Sequence, residues 1–234
     1  PASDPLDDPE EEDREERHAE DLERYGSSLM PAIRVQWQHQ REKGKGKAQL
    51  FPPKYESRRT LVLPPFLAEL LEMLLASHDS EWVFLSINGS KLADANYTYG
   101  YWRTIADGRD ECKPSQGRGG SRITLPAIPA VPAWRGKRKY LQRHGSKAWL
   151  DEDGHSRIAV ETRMGHELAG VEGLYTHLTT AMELLMVEKL QERWLRFAAT
   201  LPDDWEPPAS PTPLPVDLAE WVRSQVKAGR ALDS

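Results

Sequence analysis

The stretch that decides the fold is residues 140–177, which read YLQRHGSKAWLDEDGHSRIAVETRMGHELAGVEGLYTH. Apolar residues at helical spacing predict one helix over 136–150 and a second over 156–164. Ser156 is a typical N-cap of the second helix, because its hydroxyl can accept a hydrogen bond from an unpaired backbone N–H of the first turn. Gly165 is a typical helix stop, because glycine adopts the left-handed backbone conformation without strain.

The sequence on both sides of this stretch predicts further helices and a small sheet. Alternating apolar and polar residues over 32–38 predict a strand, which residues 48–52 and 58–63 complete as a three-stranded antiparallel sheet. The helices predicted elsewhere cover 66–75 after Pro64-Pro65, an aromatic-rich segment at 94–106, and residues 179–199 and 216–229. A short strand over 82–86 and a long loop over 107–133 complete the prediction. The fold class is therefore α+β, mainly α, with a helical bundle beside the sheet.

Composition divides the chain into three parts. Residues 1–30 hold twelve Asp and Glu against three Arg, and such an acidic segment with few large apolar residues is expected to be disordered. Residues 31–200 are long enough for one substantial domain. Residues 201–234 predict a Pro-rich linker and a short C-terminal helix. The chain begins at Pro1, and we expect it to be an N-terminally incomplete part of a longer protein.

The distribution of charge favours a polyanionic partner despite a net charge of −6. Residues 1–30 carry −9, which leaves +3 for residues 31–234. Residues 134–147 hold six Lys and Arg and no acid, and residues 34–59 hold eight against two Glu. A solvated basic face is the alternative, but basic clusters with interleaved aromatic residues suit phosphate backbones. The residues predicted to bind DNA are Arg58, Arg59, Arg135, Lys137, Arg138, Lys139, His144 and Lys147.

Two further features limit the class of protein. The chain has no run of about 18 apolar residues, so no membrane span is predicted. Cys112 is the single cysteine, which excludes an intrachain disulfide and a thiolate metal cluster and favours a reducing, cytoplasmic setting.

A small set of residues supplies what phosphodiester transfer requires. The reaction needs a nucleophile, stabilisation of the charged phosphate oxygens and an acid that protonates the leaving oxygen. Tyr175 can be the nucleophile, and Arg143 can bind two phosphate oxygens through its planar guanidinium. His166 follows a predicted helix end, where its ring can enter a cleft. Lys54, on a predicted hairpin turn, can act as the acid. Taken singly, each residue is more often a packing or surface residue.

The joint pattern resembles the tyrosine recombinase (phage integrase) family, and most closely the integrases of actinobacterial phages and mobile elements. The resemblance rests on Tyr140–Leu150, on the Arg163–His166 segment and on the Leu174–His177 segment. Arg143 precedes His166 by 23 positions, and Tyr175 follows His166 by nine, which matches the spacing of the family motifs. The stretch PKYESRRTLVLP resembles the family's hairpin, with its catalytic lysine at Lys54.

The resemblance implies a mechanism and partners. Tyr175 would form a 3′-phosphotyrosyl link, Arg143 and His166 would stabilise the transition state, and Lys54 would protonate the leaving 5′-oxygen. Tyr140 stands where the family has the first histidine of its His-x-x-Arg motif. The implied partners are double-stranded DNA attachment sites and three further copies of the chain, in a tetramer associated with the bacterial nucleoid. No metal or other cofactor is implied.

One departure from the family leaves alternatives open. The family's first active-site arginine lies in a Gly-x-Arg-x-x-Glu helix, and only Arg17 and Glu20 have the Arg-x-x-Glu spacing, without an apolar helix around them. The alternatives are a truncated, inactive integrase remnant that only binds DNA, a type IB topoisomerase of the same fold, and an acidic adaptor that uses residues 1–24.

Overall fold

The computed structural model describes residues 30–41, 48–86, 89–114, 124–166, 178–207 and 217–232, together with Ala19. The described chain is a mixed α+β structure and mainly helical, which confirms the predicted fold class at that level. None of its helices is both long and apolar enough to cross a membrane. The chain forms two units, and each is assembled from two stretches. The first unit comprises Pro1–Glu69 and Lys147–Trp194, and the second comprises Leu70–Ser146 and Leu195–Ser234.

The strands of the first unit form two separate two-stranded antiparallel ladders. The strands are β1 (Ala32–Val35), β2 (Gln38–Arg41), β3 (Ala48–Phe51) and β4 (Arg59–Val62). β1 pairs with β4, with Ala32 opposite Val62, and β2 pairs with β3, with Gln38 opposite Phe51.

The predicted three-stranded sheet is therefore wrong. The predicted strand over 32–38 is divided into β1 and β2, which face different partners. Only two residues separate β1 from β2, whereas seven separate β3 from β4. The first two of those seven are Pro52 and Pro53, which have no N–H group with which to continue a ladder.

Among the described residues, four helices contribute to the first unit, and the division between the units falls inside three of them. They are α1 (Pro65–Leu75), α2 (Leu141–Glu152), α3 (Arg157–Met164) and α4 (Thr180–Ala199). α1, α3 and α4 confirm the predicted helices to within a residue of each start. Leu150, Ala159, Val160, Met164 and Met186 form a buried hydrophobic cluster. Beside it the Phe66 and Trp194 rings stack with centroids 4.9 Å apart, and the Gln191 amide oxygen accepts a hydrogen bond from the Phe66 N–H at 2.9 Å.

Both ends of α3 are capped as the sequence predicts. The Ser156 hydroxyl accepts a hydrogen bond from the Ala159 N–H at 3.4 Å. At the other end Gly165 adopts a left-handed conformation with φ of 71°. The Gly165 N–H donates to the Thr162 carbonyl oxygen at 3.0 Å, and the His166 N–H donates to the Glu161 carbonyl oxygen at 2.9 Å. This is the Schellman arrangement, which folds the chain back over the last turn of the helix.

The second unit is organised around two tryptophans. Consecutive helical stretches Asp94–Asn96, Tyr97–Trp102 and Arg103–Asp107 cover the predicted helix, with π-helical geometry in the middle one. Trp102 is buried, and its ring meets that of Trp134 edge to face at 5.4 Å. The loop that follows pairs Arg109 with Ile128 in an isolated antiparallel bridge.

The C-terminal helix α5 (Leu218–Leu232) belongs to the second unit. Its buried positions Ala219, Val222 and Val226 recur at helical spacing. Gly229 lies so close to the Leu195 carbonyl oxygen that a Cβ atom would overlap it. α5 therefore packs on the C-terminal turn of α4.

Two predicted elements differ from the structure of this unit. α2 begins at Leu141 and not at 136, because side chains of the same unit form hydrogen bonds with the backbone of the preceding residues. The Asp107 carboxylate accepts a hydrogen bond from the Gly136 N–H at 2.7 Å, and the Trp102 indole N–H donates to the Lys137 carbonyl oxygen at 3.0 Å. The predicted strand over 82–86 is reduced to one bridge between Leu85 and Lys91.

Candidate active site

Lys54 lies on a tight turn between β3 and β4. It begins the 3-10 turn Lys54–Glu56 and is exposed, whereas the preceding Pro53 is buried. Tyr55 adopts a left-handed conformation with φ of 59°, and the Ser57 N–H donates to the Lys54 carbonyl oxygen at 3.3 Å. The lysine therefore stands at the surface, outside both ladders.

Arg59 connects this turn to the end of α3. Its Nε donates a hydrogen bond to the Arg163 carbonyl oxygen at 3.1 Å, and its Nη1 donates to the Ser57 carbonyl oxygen at 3.0 Å. The same guanidinium covers Gly165, where a Cβ atom would overlap it. The turn that carries Lys54 and the helix stop that carries His166 are thus joined within the first unit by one side chain.

Arg163 makes the reciprocal connection. Its Nη1 donates to the Val62 carbonyl oxygen at 3.1 Å, so each arginine binds a backbone oxygen of the other's element. Burial lowers the pKa of Arg163, the Glu183 carboxylate acts in the opposite direction, and the Arg59 charge lowers it further. Glu183 is itself 8% exposed. The junction of β4 with α3 is therefore held by charged side chains inside the unit.

His166 belongs to a chain of three charged or polar side chains. Its Nδ1 lies 2.6 Å from Oε2 of Glu161, and Oε1 of Glu161 lies 2.9 Å from Nζ of Lys147. Lys147 is also 3.5 Å from the Asp151 carboxylate. The hydrogen bond from Lys147 is the largest cause that lowers the pKa of Glu161, and the same hydrogen bond raises the pKa of Lys147. The ammonium group of Lys147, a residue predicted to bind DNA, therefore forms ion pairs with two carboxylates.

Arg143 and Tyr140 lie at the start of α2, within the second unit. Arg143 is half-buried, and its N–H donates to the Tyr140 carbonyl oxygen at 3.1 Å. The Tyr140 ring is 60% exposed and meets the His144 ring edge to face at 5.0 Å. The structure thus groups Arg143, Tyr140 and His144 on one helix end, and groups Lys54, Arg59 and His166 within the first unit.

The other residues predicted to bind DNA have distinct surroundings. Arg135, Lys137 and Arg138 are exposed in the segment that leads into α2. Lys139 is paired with the Asp94 carboxylate, and its ammonium lies 5.5 Å from the Tyr97 ring centroid. Arg58 is exposed, and its guanidinium lies 5.6 Å from the centroid of the Trp37 ring. An aromatic ring thus accompanies a basic side chain in both units.

Tyr175, the predicted nucleophile, lies outside the described residues, as do all positions from 167 to 177. Its distance from Lys54, Arg143 and His166 therefore stays a prediction from spacing. Within the described residues no group of three or more His, Cys, Asp or Glu side chains could hold a metal ion.

Sequence reasoning missed Glu161 and Arg163 as parts of this site. Residues five apart do not meet along a regular helix. The cap at Gly165 folds the chain back, so that His166 comes against Glu161. The glycine stop is the one sequence signal that points to this contact, because a Schellman cap brings these two positions together.

Comparisons of this chain with protein-family models, with curated proteins and with solved structures return no match.

Proposed function

We propose that this chain is the catalytic domain of a site-specific tyrosine recombinase that cuts and rejoins DNA through a 3′-phosphotyrosyl intermediate. The observation that carries the proposal is the hydrogen bond from Arg59 to the Arg163 carbonyl oxygen. It joins the strand after Lys54 to the helix before His166. Two motifs that are far apart in the sequence, and that phosphodiester chemistry requires together, are thereby linked in one unit.

The chemistry assigns one task to each residue. The Tyr175 hydroxyl gives up its proton to water, its oxygen attacks the scissile phosphorus, and the bond between phosphorus and the 5′-oxygen breaks. Lys54 gives a proton to that leaving oxygen. Arg143 binds two phosphate oxygens through its guanidinium, and His166 stabilises the charge that develops on them. Attack by the 5′-hydroxyl of a second strand reverses these steps and exchanges the strands.

The remaining groups of the proposal bind DNA. Tyr140 offers an exposed phenol next to Arg143, where it can donate a hydrogen bond to a phosphate oxygen. The exposed side chains of Arg58, Arg135, Lys137 and Arg138 suit the phosphate backbone on either side of the cut. Strand exchange between two duplexes requires four such active sites, so the working form is a homotetramer on DNA in the bacterial nucleoid.

Covalent trapping tests the proposal. The full-length gene product is mixed with nicked duplexes made from the DNA that flanks its gene, and denaturing gels compare it with Tyr175→Phe. A slow protein–DNA band that depends on Tyr175 supports the recombinase. DNA binding without any such band supports the alternative, an inactive integrase remnant. Absence of both overturns the assignment to this family.

A further inference from the structure

The Glu161 carboxylate stands between two nitrogen atoms from different parts of the first unit. Oε2 lies 2.6 Å from Nδ1 of His166, and Oε1 lies 2.9 Å from Nζ of Lys147. The Glu161 side chain is 15% exposed. Each oxygen of the Glu161 carboxylate therefore has a partner, one in the His166 ring and one in the Lys147 ammonium group.

The protonation of the carboxylate decides which ring nitrogen of His166 carries hydrogen. The hydrogen bond from Lys147 lowers the pKa of Glu161 below its ordinary value, so the group is ionised at neutral pH. An ionised carboxylate only accepts hydrogen bonds. The contact at 2.6 Å therefore requires a hydrogen on Nδ1 of His166, and in the neutral ring the lone pair is then on Nε2.

Two helices supply this arrangement. The cap at Gly165 brings His166 back over Glu161, and α2 contributes Lys147. Among the described residues, further charged groups near this set include the Asp151 carboxylate, 3.5 Å from Lys147, and the Arg59 guanidinium over Gly165. The His166 ring is thus held by Glu161 on α3, and Glu161 is held by Lys147 on α2.

We propose that Glu161 is a positioning residue for strand cleavage, which holds His166 by Nδ1 so that Nε2, when it carries the second proton of the ring, donates a hydrogen bond to the scissile phosphate, with Lys147 fixing the carboxylate. This role rests on the proposed recombinase function. A carboxylate behind an imidazole fixes both the tautomer and the orientation of the ring, and an enzyme gains rate from a ring that is already oriented. Glu161 itself does not touch the DNA in this proposal.

The first test is spectroscopic and does not depend on activity. Nitrogen-15 spectra of the histidine rings are recorded at alkaline pH, with His166 assigned by its loss in His166→Ala. We expect the Nδ1–H tautomer of His166 in the wild-type chain, and a shift toward the Nε2–H tautomer in Glu161→Ala. A wild-type ring in the Nε2–H form, or a tautomer that does not change in Glu161→Ala, overturns the proposed contact.

The second test measures the rate of adduct formation in the full-length gene product. Glu161→Gln keeps the volume of the side chain but places an amide between two donors, so we expect adduct formation to slow about tenfold, a part of the contribution of a positioned acid–base group. The same change in a His166→Ala background should have no further effect, because Glu161 acts through that ring. Glu188→Gln, an exposed carboxylate of the same unit, is the matched control and should keep the wild-type rate.

The outcomes separate the two levels of inference. A wild-type rate in Glu161→Gln, or an equal loss with and without His166, overturns the positioning role. If no adduct that depends on Tyr175 forms, the proposed function fails and the catalytic role fails with it. The ring spectra still decide the Glu161–His166 contact in that case.

Discussion

The Gly165 backbone lies against the Arg59 guanidinium, so closely that a Cβ atom built on the glycine would overlap Nη1 and Cζ. φ of Gly165 is 71°, which residues with a side chain seldom adopt. The backbone conformation therefore favours glycine at the point where the Lys54 turn and the His166 motif are joined, and a side chain there would also displace the Arg59 guanidinium.

Gly165→Ala is expected to lower the free energy of unfolding by at least about 1–2 kcal/mol, the cost of a left-handed conformation for a residue with a Cβ atom. Displacement of Arg59 adds to that cost, so adduct formation should fall as well. Urea unfolding and covalent trapping measure the two effects. Gly145→Ala is the matched control, because Gly145 lies within α2 with nothing near its Cβ position. Alanine there should stabilise the chain by up to about 1 kcal/mol.

An Arg59→Ala background separates the two parts of the Gly165 effect. With the guanidinium removed, Gly165→Ala should cost only the backbone part. An unchanged cost would mean that Arg59 does not occupy the space over Gly165.

Glu183→Gln is expected to destabilise the first unit by about 1–3 kcal/mol, because it removes a buried carboxylate whose charge acts on the buried Arg163 guanidinium. Burial already lowers the pKa of Arg163, and the Glu183 carboxylate opposes that shift. Urea unfolding measures the change, and Glu188→Gln at the exposed surface should stay within about 0.5 kcal/mol of wild type. Replacing both charges, as in Arg163→Met with Glu183→Leu, should recover much of the loss. A double variant that is no more stable than Glu183→Gln would contradict an electrostatic coupling between the two side chains.

His155 is expected to make stability depend on pH. Burial lowers the pKa of His155, against the raising effect of Asp153, and its buried Nε2 has no hydrogen-bond partner within the described residues. Because the folded chain takes up the proton less readily than the unfolded chain, the stabilising contribution is present above the unfolded value of about 6.5 and is lost as the pH falls below it.

The measurement is urea unfolding at a series of pH values between about 7 and 5. The free energy of unfolding should fall toward the acid end in the wild type and fall less in His155→Gln. The pKa values of the Glu161 and Asp107 carboxylates are lowered, so their contribution to stability is lost at more acidic pH. They therefore do not explain a fall in stability between about pH 7 and 5. An equal slope in both proteins would exclude His155 as the cause.

Lys54→Ala is expected to slow cleavage by about 10²–10⁴-fold, the usual contribution of a positioned acid, with little change in DNA affinity. A substrate in which sulfur replaces the leaving 5′-oxygen should restore the rate, because a thiolate leaves without being protonated. A normal rate on ordinary DNA would place the acid elsewhere. Arg58 would be examined next, since Arg59 is bonded to the Ser57 and Arg163 carbonyl oxygens.

The sequence predicts best where a local rule decides the structure. Ser156 and Gly165 fix the ends of α3 because capping depends on residue type at two positions. α1 begins at Pro65 for a similar reason, since proline suits the first turn of a helix.

Prediction fails where distant side chains compete for the backbone. Residues 136–140 have a helical pattern. However, the Asp107 side chain accepts a hydrogen bond from the Gly136 N–H, and the Trp102 side chain donates one to the Lys137 carbonyl oxygen, so α2 begins only after these residues. Alternation over 32–38 predicts one strand, but the pairing partners of its two halves differ. In the candidate site, spacing selects Lys54 and His166, whereas Arg59 and Glu161 emerge only from contacts across the fold.

The position of Lys54 between two ladders has a consequence for how the chain can vary in length. The register of β1 with β4 fixes one side of its turn, and the register of β2 with β3 fixes the other. The seven residues between β3 and β4 are therefore anchored by strand pairing at both ends, so a change in their number would move Lys54 relative to at least one of the two ladders.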